Sequence, residues 1–177
     1  MSSQVTQQAV PSGTWSVDTI HSTVGFAVKY MAGTFQGTFS DFAVRLDEGV
    51  LTGSAEVASI QVKDPNLEAH LQSPDFFDAE RFPKLSFRAR DVSRAGDDVA
   101  MKGELTLKGH TEPIEITGHM TDTSQDPYGG ERFGLQLEAT IDRREFGLNW
   151  NNPLPSGEPA LANDVTIAVD LQLARDA

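Results

Sequence analysis

The chain has no cysteine, which removes a disulfide framework, a thiolate nucleophile and a thiolate metal site in one stroke. That usage suits a reducing compartment. Basic residues are scarce too: 14 Lys and Arg against 26 Asp and Glu leave a net charge of −12. A phosphate backbone is gripped by clustered cations, so nucleic acid is not an expected partner, and the acidity reads as a solubility feature. The opening MSSQVTQQAVPSG has neither a basic start nor an apolar run. No signal peptide and no integral membrane segment are therefore expected, and the expected location is cytoplasmic.

Catalytic and metal signatures are missing as well. There is no GxSxG and no HExxH, and His21, His70, His110 and His119 never stand at a helical i, i+4 spacing. No metal, no cofactor and no catalytic residue is expected. The carboxylates of Asp75, Asp78 and Glu80 in DFFDAE imitate a paired-acid site, but three acids around one turn read as a capped, solvated surface.

What the chain does have is two-residue alternation from Thr14 onward, the mark of strands with one buried face. Val24, Phe26, Val28 and Tyr30 share one parity. Phe35 and Phe39 keep a parity that Phe42, Val44 and Leu46 reverse, so an extra residue is expected near Ser40 and Asp41, as in a β-bulge. Leu51 to Val62 is rich in small residues, which reads as room for a helix to pack. Leu85, Phe87 and Ala89 alternate next, followed by Val99 to Leu107, Ile114 to Met120, Phe133 to Ile141 and Val165 to Leu173, joined mostly by short turns. Pro113 cannot donate to a ladder, so it marks an edge or a strand start. With 177 residues there is length for one core. The expected organisation is a flexible N-terminal tail over 1–13 and a single domain over 14–174.

The exception to the alternation is residues 64–82, where Asp64-Pro65 and Ser73-Pro74 each read as a helix start. Leu67, His70 and Leu71 fall on one face of the first turn pair, and Phe76 and Phe77 sit on the second. Pro83 returns the chain to an extended form. About eight strands with no βαβ alternation predict an all-β fold, an antiparallel sheet that closes on itself, with the helical segment at one end. A barrel of that size is either filled by side chains or holds one small ligand.

Five segments carry a resemblance: TWSVDTIHSTVGFAVKY near the start, HLQSPDFFDAERFPKLSF at 70–87, GELTLKGHTEPIEI at 103–116, IDRREFGL at 141–148 and NDVTIAVDL near the end. Together, from Trp15 to Leu173, they resemble the YceI-like family of lipocalin-like proteins associated with polyisoprenoid binding. The resemblance implies an extended eight-stranded antiparallel lipocalin-like barrel and a long apolar tunnel for an isoprenoid or similar lipid. It also implies a homodimer and no known reaction. Before His70-Leu71 the family usually carries Arg-Asp, where this chain has Glu68 and Ala69.

The chain has ten Phe, several on alternating positions. With the resemblance, the residues expected to line a cavity are Phe26, Val28, Phe35 and Phe39, then Phe76, Phe77 and Phe87, then Met101, Leu105 and Ile116, and last Phe133, Leu137, Ile141, Trp150 and Ile167. His21, Arg143 and Arg144 are the candidates for a polar or diphosphate head. Burying one CH₂ contributes about 0.8 kcal/mol, so three or four buried isoprene units would support micromolar binding at about 8 kcal/mol. The expected function is binding, storage or transport of a polyisoprenoid, quinone or other long-chain lipid. Two alternatives stand beside it: an enzyme acting on a lipid or small apolar substrate, and a packed-barrel stress or structural protein without ligand.

Overall fold

A computed structural model of the chain describes residues 10–176. Of the expected N-terminal tail, residues 1–9 lie outside the described residues. Residues 10–13 run beside the barrel, where the Ser12 carbonyl accepts the Trp15 indole N–H at 3.0 Å. The Gly13 carbonyl accepts from the Glu48 N–H at 3.1 Å.

The strands are β1 (Thr14–Val17), β2 (Thr23–Tyr30), β3 (Gly33–Phe39), β4 (Phe42–Asp47), β5 (Val50–Glu56), β6 (Ile60–Gln61), β7 (Lys84–Ala95), β8 (Asp98–Leu107), β9 (His110–Met120), β10 (Ser124–Gln125), β11 (Glu131–Asp142) and β12 (Leu161–Arg175). One helix, α1 (Pro65–Gln72), lies between β6 and β7. Every pairing is antiparallel, and the register of β11 on β12 from Arg132↔Ala174 to Asp142↔Asp164 closes the sheet into a barrel. Several staves are built from two strands laid end to end. β1 and β2 both pair with β12, β4 and β3 pair with them in turn, β5 and β6 follow, and β10 continues β9 along β11. The twelve strands thus occupy eight positions around the barrel.

The breaks are chemical rather than random. Between β3 and β4 the chain bends at Ser40 and Asp41, which absorbs the expected parity reversal, so that Phe39 and Leu46 are both buried. Ser59 fills the gap: its hydroxyl accepts from the Asp41 N–H at 3.0 Å and donates to the Glu56 carbonyl at 2.7 Å. Two hairpins turn on residue pairs with positive φ, Glu48-Gly49 (47°, 83°) and Lys108-Gly109 (50°, 76°), the geometry whose twist matches the flanking strands. Pro113 sits in β9 opposite Glu104 of β8, while the β9–β11 register covers Thr117 to Met120. Its missing N–H therefore falls where β9 has already left β11.

Helix α1 starts as its sequence demands. Asp64 accepts from the Asn66 N–H at 2.8 Å, and Pro65 occupies the first turn. The helix ends at Gln72, short of the second helical turn expected through Phe76 and Phe77. Ser73 is its C-cap, donating to the His70 carbonyl at 2.6 Å, and residues 73–82 continue as turns. The Phe77 and Ala79 N–H groups donate back to Leu71 and Gln72, both at 2.9 Å, so the turns fold over the end of the helix. Among the described residues no helix is long and apolar enough to cross a membrane.

The interior divides in two. One half is packed around Trp15, Leu46, Met101, Met120, Phe133 and Leu173. The other is lined by β2, β3, β6 and the ends of β8, β11 and β12, and is covered by α1 and the turns after it.

Candidate ligand cavity

Inward parity on β2 brings Val24, Phe26, Val28 and Tyr30 to one wall of the second half, and the facing wall comes from Leu105, Leu107, Ile114 and Ile116. Between them is a cavity of about 520 Å³. It exists because several inward positions carry almost no side chain. Gly53 and Ala55 of β5 and Ala139 of β11 line it. Two phenyl rings are also held against the wall instead of across the space. A Cβ on Gly37 would meet the Phe26 ring at 2.7 Å, and one on Gly103 would meet the Phe87 ring at 2.6 Å. Each ring rests on a bare neighbouring backbone, a known use of glycine inside a sheet.

Phe77 reaches in from the turns after α1 and closes the aromatic wall. Its ring lies 6.1 Å from Phe39 and 6.4 Å from Phe26, and Phe26 lies 5.8 Å from Phe35, spacings at which edge-to-face pairs are favourable. A second cluster stands at the mouth. Trp150 lies 4.8 Å from His70 and 5.2 Å from Phe76, with His70 and Phe76 5.0 Å apart. His70 Nε2 is 3.1 Å from the Asp75 carboxylate, which is exposed to solvent.

Trp150 belongs to the long connection between β11 and β12, and two side chains hold that connection down. Arg143, in the 3-10 turn Arg143–Phe146, is buried and donates to four carbonyls. Nη1 donates to Leu148 at 2.6 Å and Trp150 at 2.8 Å, Nε to Ala162 at 2.8 Å and Nη2 to Leu161 at 3.4 Å. Burial pushes its pKa down, opposed by neighbouring Asp142, and an arginine remains charged under such a shift. Asn151 completes the latch: its amide donates to the Leu161 carbonyl at 2.8 Å and accepts the Leu161 N–H at 3.1 Å, standing in for a strand partner.

Of the residues expected to line a cavity, all but Met101 and Phe133 are on its wall. Those two lie in the packed half, Phe133 edge-on to Trp15 at 4.9 Å. They have the right parity but belong to the wrong end of their strands. The head-group candidates separate as well. Arg143 is on the wall, with its guanidinium committed to carbonyls. Arg144 points away and pairs with Asp142 at 2.7 Å, the bond chiefly responsible for lowering the Asp142 pKa.

His21 is exposed, 2.8 Å from Asp18, away from the cavity. Asp18 also takes Arg132 at 2.7 Å, and Arg132 bonds Asp126 at 2.9 Å. His21 first and Arg132 second hold the Asp18 carboxyl far below the usual range, and Arg132 lowers Asp126. This network ties the break between β1 and β2 to the loop before β11.

Sequence reasoning missed Gly53, Ala55, Leu71 and Leu161 on the wall and Asn151 in the latch. The run of small residues in β5 was the available signal. Gly53 and Ala55 open the void, and the same stretch also meets α1 as expected: Gln72 Nε2 donates to the Ala58 carbonyl at 3.3 Å, and Val57 and Ile60 share a buried cluster with Leu71. The wall offers a ligand apolar contact almost throughout. Tyr30, Asp64, His70, Glu138 and Arg143 are its titratable residues, and no cluster of metal ligands occurs among the described residues.

Comparison with known proteins agrees with this fold. The UPF0312 protein of Staphylococcus epidermidis is 28% identical over 171 residues, covering 92% of this chain and 98% of its own. Protein YceI of Escherichia coli is 28% identical over 136 residues, covering 72% of this chain and 71% of its own. Among solved structures, Burkholderia cenocepacia BcnA matches with a TM-score of 0.75 at 22% identity, over 88% of this chain and 98% of that one. A polyisoprenoid binding domain from Saccharophagus degradans, implicated in plant cell wall breakdown, matches with a TM-score of 0.73 at 12% identity, over 92% and 98%. These two share the fold. The family described as the YceI-like domain matches residues 15–173, nearly the whole barrel, and the chain belongs to that family.

Proposed function

We propose that this protein binds an elongated apolar ligand, an isoprenoid lipid or a quinone tail, in the hollow half of its barrel, and carries or stores it. The observation that carries this reading is the apolar cavity of about 520 Å³, within the range that accepts small ligands. Its driving force is the transfer of hydrocarbon out of water, about 0.8 kcal/mol per CH₂ before ordering costs. The description of the Saccharophagus degradans domain as polyisoprenoid binding supports the same ligand class. The histidine–carboxylate pairs favour binding over catalysis, since His21 is off the cavity and the partner of His70 faces solvent.

The test is extraction of the purified protein into organic solvent with mass spectrometry of the extract, then uptake of geranylgeraniol by delipidated protein. Gly53→Phe is the control, because a Cβ at Gly53 meets its neighbours no closer than 3.6 Å and the ring would occupy the void. Wild type taking up the alcohol while Gly53→Phe stays folded and empty is the expected result. Lipid-free protein that takes up nothing would sink the proposal.

A further inference from the structure

Two separate covers meet at the mouth of the cavity. One is α1 with the turns after it, and the other is the connection between β11 and β12 that Arg143 and Asn151 hold down. Three rings join them: Trp150 from the connection, His70 from α1 and Phe76 from the turns, with centroids 4.8 to 5.2 Å apart. All three are on the cavity wall, so parting the covers at this joint opens the cavity to solvent.

His70 is the titratable ring of the three. Imidazole side chains take up their second proton between about pH 8 and 5. The ring Nε2 stands 3.1 Å from the Asp75 carboxylate, and protonation makes that bond charge-assisted. The bond ties α1 to the turn that carries Phe76, so strengthening it sets two rings of the joint against each other and gives Trp150 a fixed face to close on. It also places a cation within about 6 Å of two aromatic rings, the range over which ring faces attract it.

Other charges surround the joint. Lys108, from the β8–β9 hairpin, donates to the Pro74 carbonyl at 2.7 Å, and Arg143 donates to the Trp150 carbonyl at 2.8 Å; both oppose a further positive charge. Asp64 and Glu68, the cap and first turn of α1, favour one. His110 bonds the Lys108 carbonyl at 2.9 Å, on the far side of that hairpin from Pro74. Asp75 is the group hydrogen-bonded to the ring, and it decides the sign. Side-chain exposures of 33% for His70 and 58% for Asp75 leave the pair screened by water, which limits the effect to a few-fold.

We propose that the His70–Phe76–Trp150 joint is a pH-sensitive gate: a proton on His70 in mildly acidic medium tightens it and slows exchange of the bound molecule, and neutral medium loosens it. The gate rests on the carrier reading above and adds the condition under which the cavity loads and empties.

The experiment has two readouts. The chain has two tryptophans, so an isotope-edited proton spectrum holds two indole N–H signals. The Trp150 signal, assigned with Trp150→Phe, is expected to move between about pH 8 and 5, while that of Trp15, bonded to the Ser12 carbonyl, stays in place. Release of N-phenylnaphthylamine, an apolar probe uncharged over this range, is expected to be about twofold to fivefold slower at about pH 5.5 than at about pH 8. His70→Gln should flatten both readouts, His110→Gln should change neither, and Asp75→Asn should remove at least half of the slowing. A Trp150 signal that stays fixed, or that moves as much in His70→Gln, would overturn the switch. A probe that binds but leaves at one rate at every pH would overturn the gating and leave the carrier reading standing. Protein that takes up no probe at any pH would remove the carrier reading and the gate with it.

Discussion

Met101 and Leu105 lie on the same strand and the same face, with exposures of 4% and 5%, yet one is packed on all sides and the other borders empty space. Alternation and burial describe both halves of this barrel equally well. The difference comes from what stands opposite. In the packed half Trp15 meets Phe133 edge-on, with Arg175 4.5 Å over the indole. In the hollow half the large rings lie on Gly37 and Gly103, and the facing positions are Gly53, Ala55 and Ala139. A void inside a barrel is thus written in the small residues between the large ones.

The contrast is best broken at its strongest point. Trp15→Ala should cost about 3–5 kcal/mol, because the packed half cannot collapse onto the space; urea denaturation reads it, and a loss below about 1 kcal/mol would mean that half is not solid. Met101→Ala against Leu105→Ala is the sharper pair. The first should cost about 3 kcal/mol and the second about half that, since Leu105 has fewer partners to lose. Equal losses would erase the distinction between the halves. Arg143→Met tests the mouth: four carbonyls lose their donor, at about 2 kcal/mol, and hydrogen exchange should quicken across residues 148–162 with the packed half unaffected.

The smallest effect concerns pH at the packed end. The Asp18 carboxyl titrates far below its ordinary value, so its contribution is full above about pH 4 and fades as acid approaches its folded pKa. Asp18→Asn should cost about 0.5–1 kcal/mol at pH 7 and flatten the acid limb of a stability profile taken between about pH 2 and 7. An acid limb identical in wild type and variant would remove Asp18 from the account.

The fold was legible because alternation, turn pairs and the Asp64-Pro65 start are local signals that nothing in the tertiary structure contradicts. The parity reversal at Ser40 and Asp41 could be counted from the sequence alone. The site was legible only in part. Parity places Phe133 and Phe39 alike, and it is strand register that sends one into the packed half and the other to the cavity wall. Arg143 and Arg144 are neighbours in sequence, but the 3-10 turn points one inward to carbonyls and the other to Asp142. Asn151 gave no signal, since its role as a substitute strand partner exists only once Leu161 is beside it.

The doubled staves are not spread evenly around the wall. Three of the four, β1/β2, β3/β4 and β5/β6, are adjacent, while on the other side β9/β10 stands among the uninterrupted β7, β8, β11 and β12. Such a barrel behaves like a jaw with one stiff and one creased side. The creased side bends at Ser59, where side-chain bonds replace the ladder, so a guest that swells the cavity is expected to displace β2, β3 and β6 before the uncut strands, and faster hydrogen exchange in those three strands would report it.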